Sequence, residues 1–117
     1  MENKIEFKDE AIVDVLVGAL EGGSNYWYFL PDLSMVKKYE NKCKSENIIL
    51  SALAGETIPV NDAENETDFL GNISKENIER GLKLFIEDGR EFDPEEMDAD
   101  DSDVLFQFIV MGEIVFG

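Results

Sequence analysis

The sequence predicts an α+β domain, three or four helices packed on a small sheet, and three observations carry that prediction. The chain has 117 residues, 44% of them hydrophobic and eight of them Phe, which suffices for one core and is too apolar for a disordered acidic tail. Two stretches, Ile12 to Leu20 and Ile78 to Ile86, place apolar residues at helical spacing between capping signals. Two others, Thr57 to Asn61 and Asp68 to Ile73, read as strands around a polar turn. No internal repeat and no long linker divides residues 1–117, so one domain is expected.

Lys4 to Lys8 alternates polar and apolar residues, as a short half-buried strand does, with Ile5 and Phe7 on one face. Asp9 is placed to cap a helix running to about Leu20 and stopped by Gly22 and Gly23. Only Asp14 and Gly18 interrupt its apolar surface, which predicts a central helix. Tyr26, Trp27, Tyr28 and Phe29 follow in succession, and four adjacent rings cannot all enter one small core. From Asp32 a second helix is expected, with Leu33, Val36, Tyr39 and Cys43 as its apolar stripe. Ile48 to Leu53 fits helix or strand equally well.

Pro59 restricts the Thr57 to Asn61 strand to an edge or an irregular pairing. Ser74 then starts the clearest helix, with Glu76 at its positive end, Ile78, Leu82, Phe85 and Ile86 on one face, and Gly89 as its stop. Val104 to Met111 is apolar apart from Gln107. An acid-rich entry and Gly112 favour a buried helix there, capped by Asp101 or Ser102 and followed by a last strand, Glu113 to Phe116.

Charge narrows the chemistry. Ten Lys and Arg stand against 27 Asp and Glu, a net of −17, and there is no histidine. That removes the usual general base, the commonest metal ligand and any Ser-His-Asp or Cys-His site built from this chain alone. With Cys43 the only cysteine, neither an intrachain disulfide nor a multi-cysteine metal site can form. No segment is long and apolar enough to span a bilayer and no leader-like apolar stretch opens the chain, so a cytoplasmic protein without membrane contact is expected. Residues to Gly55 hold nine acids and six bases; Glu56 to Gly117 holds 18 and four, so the excess lies in the second half. It is densest from Glu87 to Asp103, where ten carboxylates face only Arg90.

Two strings bracket the chain. Ala19-Leu20-Glu21-Gly22-Gly23-Ser24-Asn25-Tyr26-Trp27 and Gly112-Glu113-Ile114-Val115-Phe116-Gly117 resemble the signatures of an uncharacterised family of small bacteriophage and prophage proteins, and Gly81-Leu82-Lys83-Leu84-Phe85 resembles a third shared stretch. The resemblance implies a phage or mobile-element origin and a bacterial cytoplasm. It supplies no reaction and no functional residues, and Pro31 to Val60 falls outside it.

Each candidate site has a plain structural counterpart. The acidic surface of Glu91, Asp93, Glu95, Glu96, Asp98, Asp100, Asp101 and Asp103 is expected to bind a basic host or phage protein, as a nucleic-acid mimic would; its plain counterpart is solubility. Direct nucleic-acid binding is not expected from so negative a chain. The alternative is a nucleotide-like ligand held by Gly22, Gly23, Asn25, Tyr26 and Trp27, against a helix end in which Gly22 or Gly23 takes positive φ and the rings close the core. Asp98, Asp100 and Ser102 match the first, third and fifth places of a calcium loop, but Asp103 and Ile109 occupy its sixth and twelfth, so no metal is assigned. Cys43 is expected to be a buried small hydrophobe, and Gln107, if buried, must find hydrogen-bond partners, with the aromatic segment as one source. The reading is of a non-enzymatic binding protein without a cofactor, with a homo-oligomer through Tyr26 to Phe29 as a further possibility.

Overall fold

The structure, a computed structural model, describes residues 7–117. Its elements in chain order are helix α1 (Asp9–Gly18), which widens into a π turn (Ala19–Gly23), strand β1 (Tyr28–Phe29), helix α2 (Lys44–Leu53), strands β2 (Ile58–Asp62) and β3 (Phe69–Ile73), and helices α3 (Lys75–Glu87) and α4 (Ala99–Met111). Four helices on a three-stranded antiparallel sheet make it an α+β fold. Of the strand expected at 4–8, residues 4–6 fall outside the described residues, while Phe7 is in no strand and Lys8 is the N-cap of α1.

Strand order is β1-β2-β3, with Ile58 opposite Ile73, Val60 opposite Gly71, and an irregularity between Val60 and Asn61. β1 pairs only with Asn61 and Asp62. Pro59 therefore sits where one side of β2 carries no neighbouring strand, which a residue without an N–H tolerates.

α4 holds the centre. Leu105 to Val110 are all buried, and the helix touches α1, the π turn, β3 and α3. Close approach is bought by glycine: a Cβ on Gly81 would lie 2.3 Å from Ile109 Cγ1 and 2.7 Å from its Cα, and one on Gly71 would lie 2.0 Å from the Val110 carbonyl oxygen. α1 packs between α2 and α4 and shows solvent only a narrow stripe at Asp14 and Gly18 beyond its first turn. Arg80 reaches from α3 to donate to the Ile109 carbonyl at 2.9 Å, placing a cation at the negative end of α4.

Several expectations need correction. Lys8, not Asp9, is the N-cap of α1, without a side-chain bond, and Asp9 is its first helical residue. No helix runs from Asp32 to Cys43. That segment is irregular, with turns at 34–35 and 40–41, and lies beside α2, where the Lys37 N–H donates to Ser51 Oγ at 2.9 Å and the Tyr39 N–H to Asn47 Oδ1 at 3.0 Å. Ser51 and Asn47 are buried one turn apart and need those donors, and Asn41 at φ 62° would break a helix in any case. Cys43 is exposed rather than buried, because it is the N-cap of α2, forming a capping box with Glu46. The undecided Ile48 to Leu53 stretch is the body of that helix.

α3 begins at a Ser74 cap and is followed by Gly89 at φ 85°, as its sequence predicts. α4 starts earlier than expected, because Asp98 and Asp101 each accept from the other's N–H and pull the acidic residues into the first turn. The expected last strand does not form: after Gly112 at φ 78° the chain lies unpaired against α4.

Candidate functional site

Asp103 and Gln107 lie four residues apart on α4, and so share one face. The turn after the π segment is brought over that face. Ser24 N–H closes the π turn on the Ala19 carbonyl at 2.9 Å, and Trp27 and Tyr28 N–H then both fold back onto the Ser24 carbonyl. The approach depends on Gly23, since a Cβ there would sit 2.2 Å from the carbonyl oxygen of Ala99.

Asp103 is buried and accepts four hydrogen bonds. Ser24 Oγ and Trp27 Nε1 donate to Oδ1, each at 2.7 Å; the Tyr26 hydroxyl donates to Oδ2 at 2.6 Å and Gln107 Nε2 at 3.2 Å. All four partners are donors, which suits a carboxylate in a dry setting. Burial, the bond to Asp103 and the negative charges of Asp103 and Asp100 push the Tyr26 phenol up to about 12. Tyr28 is also raised, by burial and then by Glu21, and its hydroxyl donates to the Leu20 carbonyl.

Gln107 carries the network onward. Its Oε1 accepts the N–H groups of Val115 and Phe116, both at 2.8 Å, and its Nε2 donates to the Phe116 carbonyl at 3.0 Å. The Phe116 ring stacks on Trp27, centroids 5.4 Å apart and planes 13° apart, while Phe106 backs the indole at 5.3 Å. Among the described residues no buried side-chain nitrogen or oxygen lacks a partner. Two turns of one helix thus fasten the N-terminal aromatic segment and the C-terminal tail to the same face.

Several predicted site residues change role. Asp103 does not belong to the acidic surface; it is only 7% exposed, because its place on α4 faces the Ser24 to Trp27 donors. Glu91, Glu95, Glu96, Asp98 and Asp100 are exposed, and Asp93 and Asp101 are half-buried. Asp93, Asp98 and Asp101 each accept a backbone N–H, so part of the acidity orders its own loop. In the alternative segment Trp27 is 1% exposed, with Phe106 and Phe116 against its ring and its N–H taken by Asp103, so it offers no face to a ligand. Gly22 and Asn25 are exposed, Gly23 is half-buried, and neither glycine has positive φ. The helix ends by widening into the π turn instead. A shallow groove of about 200 Å³ lies elsewhere, between α1 and the start of α4, lined by Asp14, Val15, Gly18, Pro94, Met97, Asp98, Ala99 and Ser102.

Ser24 and Phe116 carry no mark in the sequence that would single them out. Gln107 does, as a polar residue in an apolar run, whereas Asp103 one turn before it looks like its acidic neighbours. Among the described residues no three carboxylates or thiols gather as a cation site, and no helix is long and apolar enough to cross a membrane. Comparison with protein-family models, curated proteins and solved structures finds no match to this chain, so its chemistry rests on the geometry above.

Proposed function

We propose that the chain is a non-enzymatic accessory protein of phage or prophage type, acting in a bacterial cytoplasm by binding a basic macromolecule through carboxylates on the loop between α3 and α4. One observation supports this reading above others. Glu87, Asp88, Glu91, Glu95, Glu96, Asp98 and Asp100 are all exposed there, and the only cation in that stretch, Arg90, is held by Asp88 at 2.8 Å. Such a surface carries an unneutralised field that attracts a basic groove, with affinity that falls as salt rises. Because turns and caps made by Asp93, Asp98 and Asp101 fix the loop, the charges are presented on an ordered frame, as imitation of a phosphate backbone requires.

The test uses the charges that cap nothing. Glu91→Gln, Glu95→Gln, Glu96→Gln and Asp100→Asn, combined, remove four charges and leave the capping carboxylates and Asp103 in place. The wild-type chain is expected to recover a basic protein from bacterial lysate at low salt, to release it at high salt, and to lose it in the combined variant. Recovery of no basic partner at low salt, or equal recovery by the variant, would contradict the reading.

A further inference from the structure

The tail after α4 is held by two side chains. Among the described residues, 113–117 makes no backbone–backbone hydrogen bond and belongs to no strand. Its attachment is the Gln107 amide, which reads two successive N–H groups and one carbonyl, and the Trp27 ring under Phe116. This is recognition of a peptide main chain: the amide binds it whatever the side chains, and the indole selects an aromatic residue.

The seat is built without the tail. Asp103 holds both the Trp27 indole N–H and the Gln107 amide, and Phe106 supports the indole from within the core. A departing tail would strip Gln107 Oε1 of both its donors and uncover one face of Trp27, so the empty seat favours refilling by a segment of the same kind. The docked tail is itself poorly covered. Ile114 and Val115 are 44% and 54% exposed, and Tyr26, whose hydroxyl lies 3.4 Å from Gln107 Nε2, is 51% exposed. These are three of the four large exposed hydrophobics among the described residues, gathered around one seat.

We propose that this seat is a peptide-recognition site whose occupant exchanges between copies: residues 113–117 of one chain leave their own Gln107 and Trp27 and dock on those of a second copy. The second copy is the favoured source because its tail matches the seat by construction. Exchange is also reciprocal, so a closed twofold pair results, in which the Tyr26, Ile114 and Val115 surfaces of both chains meet. Gly112, at φ 78°, is the pivot. Two chains of net charge −17 repel, so the pair is strengthened by salt, opposite to the binding of a basic partner by the acidic loop. Failure of one idea is thereby distinguishable from failure of the other.

Trp27 is the only tryptophan of residues 1–117, which permits a complementation test between chains that carry all of them. Phe116→Ala keeps the seat and loses the anchor; Trp27→Phe keeps the tail and is silent in tryptophan emission. Mixing them at high salt is expected to shift the emission of the Phe116→Ala chain back toward that of the wild type, saturably, and to give a species of twice the chain mass. The double variant, added in place of Trp27→Phe, should do neither. No shift and only single-chain mass would overturn the proposal. A synthetic peptide of residues 112–117 that binds the Phe116→Ala chain, without exchange in the mixture, would overturn the second copy as occupant in favour of a segment of another protein. Hydrogen exchange on the wild type guards against variants that fail to fold: Val115 and Phe116 amides should exchange at least about tenfold faster than the buried amides of α4. Equal protection would mean that the tail does not leave, and the proposal falls.

Discussion

Asp103 and Asp100 lie one turn apart on nearly the same face of α4, and they do opposite work. Asp100 is exposed, engages no side-chain donor among the described residues, and can act only through its field. Asp103 is buried under four donors and acts through contact. The comparison teaches that net charge says little about where a carboxylate matters. A shift of one helical turn moves the same group from solvent into the latch that joins three parts of the chain. Asp103→Asn breaks this comparison at its strongest point. The buried Ser24 hydroxyl and Trp27 N–H lose a charged acceptor, and the new amide N–H₂ faces other donors. Since hydrogen bonds to a charged group contribute about 1.5–3 kcal/mol each, a loss of about 3–5 kcal/mol is expected in urea unfolding. A loss below about 1 kcal/mol would show that Asp103 does not hold the latch.

The two adjacent glycines of the π turn sharpen the contrast between contact and exposure without any charge. Gly23 meets the Ala99 carbonyl oxygen at 2.2 Å from where a Cβ would stand, while Gly22 has nothing within 4 Å. The obstruction at Gly23 is backbone, which cannot swing away, so Gly23→Ala should cost about 2–3 kcal/mol by forcing the turn off α4. Gly22→Ala, at negative φ and in open space, should lie between neutral and about 1 kcal/mol stabilising, because it only restricts the unfolded chain. Thermal unfolding of the two variants side by side checks the difference; equal effects would mean that the approach of the turn to α4 is not tight.

That pair also marks how far the sequence could be read. The β2–β3 hairpin and α3 are legible because their signals are local: alternation around a polar turn, a Ser74 cap, an amphipathic face and a glycine stop. The segment from Asp32 to Cys43 is not, since its apolar spacing suits a helix and the groups that hold its backbone N–H bonds outside one, Asn47 and Ser51, come later on another element. Gly22 and Gly23 look alike in sequence; only the distant Ala99 separates them. Gln107 is conspicuous in its apolar run, yet its partners at 115 and 116 follow from a tail that turns back along α4 after Gly112. Asp103 sits in a run of acids where nothing local distinguishes the buried one. Local hydrogen bonding and periodicity are written in neighbouring residues, whereas long-range polar pairing is decided by which faces the folded chain brings together.

Tyr26 stands between the two kinds of acid and is sensitive to pH. Its hydroxyl donates to Asp103, and its pKa is raised from 10.0 to about 12 in the folded chain. A raised folded value means that the stabilisation is complete below about pH 10 and is lost as pH climbs toward about 12. Tyr26→Phe removes the bond while leaving Ser24 and Trp27 on Asp103, so about 1 kcal/mol is expected at neutral pH, the ring being half exposed. The difference in stability between wild type and variant should vanish on alkaline titration between those limits. A difference that persists unchanged to about pH 12 would assign the effect to packing of the ring instead.

The outer carboxylates should give the smallest response. Among the described residues Glu91, Glu95, Glu96 and Asp100 accept no hydrogen bond and pair with no base, so neutralising all four mainly removes repulsion, offset in part by the loss of Asp100 from the positive first turn of α4. Each exposed change is expected within about 0.5 kcal/mol, with the net sign stabilising. Because the origin is repulsion between solvated charges, the gain should shrink as salt is added and the screening length falls to about 3 Å near 1 M. Urea unfolding of wild type and combined variant at low and high salt reads this directly. A destabilisation that salt does not remove would mean that these side chains make specific contacts, and the contrast with Asp103 would have to be drawn between two latches instead of between a latch and a field.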